Sequence, residues 1–108
     1  MTVSELSAKC GFETVCVPDN KRQVSGAYIG DLLSWVMGRA SADNAWITIM
    51  SNINVIAVAA LTDVACVILA EDVCLDDEIV NTAKSKGVNV LKSSLSAYET
   101  AILLTDKI

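Results

Sequence analysis

The run Ala45-Trp46-Ile47-Thr48-Ile49-Met50-Ser51-Asn52-Ile53-Asn54-Val55-Ile56-Ala57-Val58-Ala59-Ala60-Leu61-Thr62-Asp63-Val64-Ala65-Cys66-Val67-Ile68-Leu69 decides the fold. Its first five residues include strong β formers and read as a strand. Ser51-Asn52 can cap a helix that runs from Ile53 to about Thr62. Ala65 to Leu69 is an unbroken apolar strand of the kind buried on both faces of a parallel sheet. Strand, single helix and strand in this order make a right-handed crossover unit. The apolar stretch from Ile53 to Ala70 is interrupted by Thr62-Asp63, so it reads as two core elements and not as a membrane span.

The same alternation continues outward in both directions. Downstream, Asp76-Asp77-Glu78 sets acids on the first turn of a helix that Lys84, Lys86 and Gly87 finish. Val88 to Leu91 is the last strand, and Ser94 or Ser96 begins a C-terminal helix through Leu104. Upstream, Gly30-Asp31 opens a helix carrying Leu32, Leu33, Trp35, Val36 and Met37, with Asp31 a candidate cap. Ser25 to Ile29 is a short strand weakened by Gly26, and Glu13 to Val17 is another, ended by Pro18-Asp19-Asn20. Thr2-Val3-Ser4-Glu5 is a capping box for an N-terminal helix that Gly11 closes. The order α-β-β-α-β-α-β-α-β-α predicts a three-layer α/β sandwich. Its sheet is mostly parallel, has about five strands and carries helices on both faces.

The chain has 108 residues, one domain's worth, so residues 1–108 are expected to form a single unit. Apolar residues make up 53% and charged residues only 19%. So apolar a small domain has trouble covering itself with polar groups, and burial in a homodimer interface is the expected remedy. The net charge of −5 and the absence of any basic cluster beyond Lys21-Arg22 argue against nucleic-acid binding, because a phosphate backbone is met by Lys and Arg. Lys21-Arg22 itself reads as a solvated loop. Four cysteines at 10, 16, 66 and 74 lack the short spacing of structural zinc sites. They read as reduced, mostly buried thiols, and with no signal peptide they point to the cytoplasm.

Ligands of open α/β sheets lie beyond the carboxyl ends of the strands, at helix N-termini. That rule selects Gly30-Asp31, Met50-Ser51-Asn52 with Asn54, Glu71-Asp72, and Lys92-Ser93-Ser94, all opening on one edge. Such a rim, with free helix amides and neutral side chains, suits a small polar or phosphorylated ligand. Against this, Ser51, Asn52 and Ser94 are most simply helix caps, Glu71 and Asp72 would repel a phosphate, and Lys92 is the one cation placed to meet an anion. Catalytic chemistry has little to stand on. There is no histidine for a Ser or Cys nucleophile, no Gly-rich phosphate loop and no dinucleotide fingerprint. No metal set stands out either, since Asp76, Asp77 and Glu78 point different ways on a helix. No cofactor is implied. Trp35, Val36 and Met37 are the candidate dimer contacts, Trp and Met being enriched at interfaces.

The stretch Val24-Ser25-Gly26-Ala27-Tyr28-Ile29-Gly30-Asp31-Leu32-Leu33-Ser34-Trp35-Val36-Met37 resembles the opening of DRTGG domains, where a glycine-bearing strand leads through Gly-Asp into a helix. Ala45 to Ile49, Asn54 to Leu61, Ala65 to Leu69 and Val88 to Leu91 continue the likeness over nearly the whole chain. Two departures stand out. The loop where the family carries Asp-Arg-Thr reads Ser51-Asn52-Ile53-Asn54, and the later glycines are replaced around Ala70-Glu71-Asp72. The resemblance implies a fold similar to the N-terminal domain of HPr kinase, and an accessory module of the kind found beside CBS domains. It implies a non-catalytic regulatory domain that senses a nucleotide or another phosphorylated metabolite as a homodimer. The alternative is an adaptor that docks a partner protein in a redox (hydrogenase-associated) or signalling system without a small ligand.

Overall fold

A computed structural model describes residues 1–108. In chain order the elements are α1 (Val3–Cys10), β1 (Glu13–Cys16), β2 (Ala27–Ile29), α2 (Leu33–Arg39), β3 (Ala45–Thr48), α3 (Ile53–Thr62), β4 (Cys66–Leu69), α4 (Asp77–Lys86), β5 (Val90–Lys92) and α5 (Ala97–Leu104). They form one five-stranded sheet in the order β1-β5-β4-β3-β2. β2, β3, β4 and β5 are parallel, and β1 joins the far side of β5 antiparallel.

Sequential parallel strands joined by right-handed crossovers put every crossover helix on one face. The core divides accordingly. Val36 of α2, Val55 and Ile56 of α3 and Ala83 of α4 pack with Trp46, Val67, Leu69 and Val90 on one side. Val3 and Leu6 of α1 and Leu104 of α5 pack with Ala45, Ile47, Cys66, Ile68 and Leu91 on the other. Alternate residues of β3 and β4 thus serve opposite layers, and neither strand has an exposed residue. The expected three-layer sandwich with helices on both faces is the observed architecture.

Individual elements follow from local chemistry. Thr2 and Glu5 close their capping box, and Ser96 and Glu99 close a second one at α5. Ser96 is therefore the start of the last helix and Ser94 is not. α2 begins at Leu33 with Leu32 at its cap position and no side-chain cap, because the Asp31 carboxylate is used elsewhere. Gly11 and Gly87 end α1 and α4 at φ 72° and 71°, the left-handed caps that glycine favours.

Residues 17–26 run from β1 at one edge of the sheet to β2 at the other, a span of about 19 Å at the usual strand spacing. Charge and hydrogen bonds pin this crossing to the amino ends of the parallel strands. Arg22 pairs with Asp43 at 2.8 Å and Asp63 at 3.1 Å. Asn89, only 3% exposed, accepts from the Asp19 amide and donates to the Asp19 and Ala65 carbonyls. Lys21-Arg22 is thus not the solvated pair expected. Arg22 clamps the turns before β3 and after α3, whose Asp43 and Asp63 sit at φ 70° and 59°.

All four thiols are free. Cys66 has no exposed surface, and burial pushes its thiol up to about 12 from an ordinary 9.0. The folded protein therefore keeps a proton that the unfolded chain releases above about pH 9, so stability is full below that pH and falls as pH rises toward 12. Denaturant titrations from about pH 8 to 11 should show a decline of up to about 1.4 kcal/mol per pH unit. In Cys66→Ala that slope should flatten, whatever the variant's stability at neutral pH.

Candidate functional site

The four parallel strands end on one edge, so the loops that follow β2, β3, β4 and β5 do line up there. Most of the polar groups in them are spent on one another. Asp31 Oδ1 accepts from Thr48 Oγ1 at 2.8 Å and from the Ile49 amide at 3.0 Å, which ties the end of β2 to the end of β3. The Gly30 carbonyl accepts from Trp46 Nε1 at 2.9 Å. A Cβ on Gly30 would sit 2.8 Å from the Tyr28 ring, so any larger residue there would push that ring aside. Gly30 and Asp31 form a structural clamp.

The next junction is the point where connections part. The chain leaves β4 toward α4 on one face and leaves β5 toward α5 on the other, and such a divergence usually opens a ligand crevice. Here the backbone closes it. The Glu71 amide donates to the Leu95 carbonyl at 2.8 Å, and the Asp72 amide donates to the Ser93 carbonyl at 2.9 Å. Making both bonds places Glu71 and Asp72 in the left-handed region at φ 59°, where glycine is the favoured residue. Ser93 lies beneath this strap, 4% exposed, with its hydroxyl 2.8 Å from Thr100 Oγ1 and accepting from the Leu95 amide. It has no face for a ligand. Ser94 is exposed.

Lys92 is not a free cation. Its Nζ lies 3.1 Å from Cys74 Sγ, 3.2 Å from Asp72 and 3.7 Å from Glu13, with 16% of the side chain exposed. The contacts to Cys74 and Asp72 hold its ammonium more firmly charged than an ordinary lysine. The charge is already neutralised by two carboxylates. It lines a shallow hollow of about 310 Å³ with Glu13, Val15, Cys74, Leu75, Asp77 and Val80.

The open part of the edge lies between the N-termini of α3 and α4. Ser51, Asn52, Ile53, Asp76, Glu78 and Ile79 line a hollow of about 480 Å³. Asn52 is the α3 cap, accepting from the Asn54 amide at 2.9 Å, and Ser51 is exposed beside it without a capping role. Asn54 is exposed and lies outside the lining. Asp76 caps α4 by position, yet its side chain makes no cap bond and stays available. Two helix N-termini, two acceptor carboxylates and two isoleucines thus face one space. Sequence reasoning found Ser51 and Asn52 by the strand-end rule. It dismissed Asp76 and Glu78 as a dipole-complementing first turn, which they also are, and the sequence carried no signal that α4 would start beside α3. No group of three His, Cys, Asp or Glu side chains comes together to hold a metal.

Of the proposed contact residues, Val36 has no exposed surface and belongs to the core. Trp35 and Met37 are 53% and 48% exposed, with Arg39 stacked 3.8 Å over the Trp35 ring. A helix turns adjacent residues about 100° apart, so this triplet cannot share one surface.

Fold and edge together define an α/β domain of the three-layer class with a polar hollow at its strand ends. The chain belongs to the DRTGG domain family, whose sequence model matches residues 6–106. It also superposes on a crystal structure of the CBS and DRTGG domains from the regulatory region of Clostridium perfringens pyrophosphatase, complexed with the activator diadenosine tetraphosphate. The TM-score is 0.79 at 12% identity, over 95% of this chain and 45% of that one. At that identity the likeness is one of fold, and this chain spans less than half the length of the other. No curated protein matches the chain.

The clamp and the strap carry separate expectations. Asp31→Ala strands the buried Thr48 hydroxyl and the Ile49 amide, and urea unfolding should show a loss of about 1–3 kcal/mol. Glu71→Gly relieves a left-handed non-glycine residue and should raise stability by about 0.5 kcal/mol, whereas a β-branched Glu71→Val should lower it by about 1 kcal/mol or more.

Proposed function

We propose that this chain is a non-catalytic regulatory domain that senses a nucleotide-class ligand and works as a homodimer in the cytoplasm. The observation that carries the reading is the hollow between α3 and α4, at the strand ends where α/β domains take their ligands. Its chemistry narrows the ligand. Asp76 and Glu78 are acceptors and suit hydroxyl or amino donors, such as a ribose or a base edge, while Ile53 and Ile79 offer apolar contact to a ring. A phosphate finds no free cation beside them, since Lys92 is held by Asp72 and Glu13. The nucleoside end of a ligand therefore enters the hollow, and phosphates stay at its mouth, where the first amides of α3 lie. The diadenosine tetraphosphate in the clostridial structure supports a nucleotide as the class to test. The absence of histidine supports a role without catalysis.

Thermal melting with adenosine, ATP, diadenosine tetraphosphate and inorganic phosphate tests this reading. A true ligand at one hundred times its dissociation constant adds about 2.7 kcal/mol, which for a domain this small is roughly ten degrees or more. The nucleoside-bearing compounds are expected to shift the melt and phosphate alone is not. The double variant Ser51→Ala with Glu78→Gln alters exposed side chains and should abolish the shift while leaving the unliganded melt within about two degrees. No shift from any compound would leave the adaptor as the better reading. Leu61 and Tyr98, 73% and 74% exposed, are then the surfaces to search for a partner.

A further inference from the structure

β2 pairs only with β3 and forms one edge of the sheet. The Gly26 carbonyl accepts from the Ala45 amide, and the Gly30 amide donates to the Ile47 carbonyl. Backbone groups alternate from side to side along a strand. Gly26, Tyr28 and Gly30 therefore address β3, while the N–H and C=O groups of Ala27 and Ile29 point away from the sheet with nothing beside them.

The two edges of this sheet are built differently. Natural edges are blunted by charge, proline or a bulge, because a bare edge recruits another strand. β1 has all three: Glu13, a register shift between Thr14 and Cys16, and Pro18 just beyond. β2 has none of them between Gly26 and Gly30. The nearest charge, Asp31, is folded back onto Thr48 and Ile49. Ile29 pairs with Ile47 and so points to the α1/α5 face, where it is left 49% exposed. On the opposite face α2 is the outermost helix, next to this edge, and Leu32 at its start is 60% exposed. Bare backbone groups and exposed apolar side chains thus coincide on one side of the molecule.

We infer that β2 is the seam of a homodimer in which two copies pair this strand antiparallel about Tyr28, joining their sheets into one. The inference rests on the homodimer reading above and adds where the copies meet. A second copy fits because the edge is its own complement. A two-fold axis through the seam sets Ala27 of one copy opposite Ile29 of the other, and both pairs so formed exchange their N–H and C=O groups in both directions. On the α1/α5 face the exposed Ile29 of each copy meets Ala27 of the other, and no like charges are brought face to face on the strands. The pairing also closes: it consumes the one bare edge, and the blunted β1 edge stops further growth.

Sedimentation equilibrium on the full chain, with amide exchange read residue by residue, tests the seam. The wild type should run at twice its 11.5 kDa mass, with the Ala27 and Ile29 amides protected. Ile29→Lys charges an exposed position on the edge and should weaken the dimer at least tenfold, giving a folded monomer whose Ala27 amide exchanges freely. Thr14→Lys on the β1 edge should stay dimeric. If Ile29→Lys does not fold, Ala27→Pro removes only an outward N–H and should give the same monomer. A dimer that survives these changes, or whose Ala27 and Ile29 amides are open, overturns the seam and leaves the homodimer intact. A monomeric wild type at about 100 μM overturns both and points to a strand from a different protein, while the ligand reading stands on its own melting data.

Discussion

The handedness of the β-α-β crossover governs this molecule. Three successive right-handed connections must all return on the same face of the sheet, so α2, α3 and α4 cover one side and leave the other bare. Only the ends of the chain remain to cover it, and α1 and α5 do so. That requirement forces the chain after β5 to turn the opposite way from the chain after β4. The parting of loops at the β4–β5 junction is thus a consequence of needing a second helical layer, and a small apolar domain has no alternative source for one.

Divergence at that junction would ordinarily open a crevice. In this protein two backbone hydrogen bonds from Glu71 and Asp72 seal it, at the cost of two adjacent left-handed residues. The strap also draws in Lys92, whose ammonium links β5 to Asp72 and to Glu13 of β1. Sealing moves the open space one strand along, to the gap between α3 and α4, where connections leave to the same side and cannot strap each other. Ser51 and Asn52, which follow β3, lie at this gap with Asp76 and Glu78 of the α4 start.

The layered architecture was legible because it rests on periodicity. Continuous apolar runs at 45–49 and 65–69, separated by a capped helix, admit few arrangements, and glycine caps at 11 and 87 end their helices as their chemistry requires. The strand-end rule then named loops that do gather on one edge of the sheet. What it could not supply was which polar groups on that edge are already satisfied. Asp31 reads as a cap or a ligand contact until its Oδ1 is seen to hold Thr48 and Ile49, and Lys92 reads as free until Asp72 and Glu13 are seen beside it. Those partners come from other elements and leave no local trace. Arg22 and Asn89 escaped for the same reason: each works across the sheet, on residues far away in the chain.

The fate of the cations bears most directly on what the domain can bind. Eight Lys and Arg residues face thirteen carboxylates, and the structure commits several of them to internal work. Arg22 holds two turns at the amino ends of the strands, Arg39 lies over Trp35, Lys92 is shared by two acids, and Lys107 caps the Leu103 carbonyl. Lys84 and Lys86 sit at the far end of α4 from the hollow. No positive side chain lines the hollow itself, so ion pairing to a phosphate is not built into it. What remains there is the weaker positive potential of two helix N-termini beside two carboxylates, and that pair of fields selects for a ligand that both donates and accepts. A nucleoside meets that requirement through its hydroxyls and base edge. A bare anion does not, because Asp76 and Glu78 would repel it in the same hollow where the helix ends attract it.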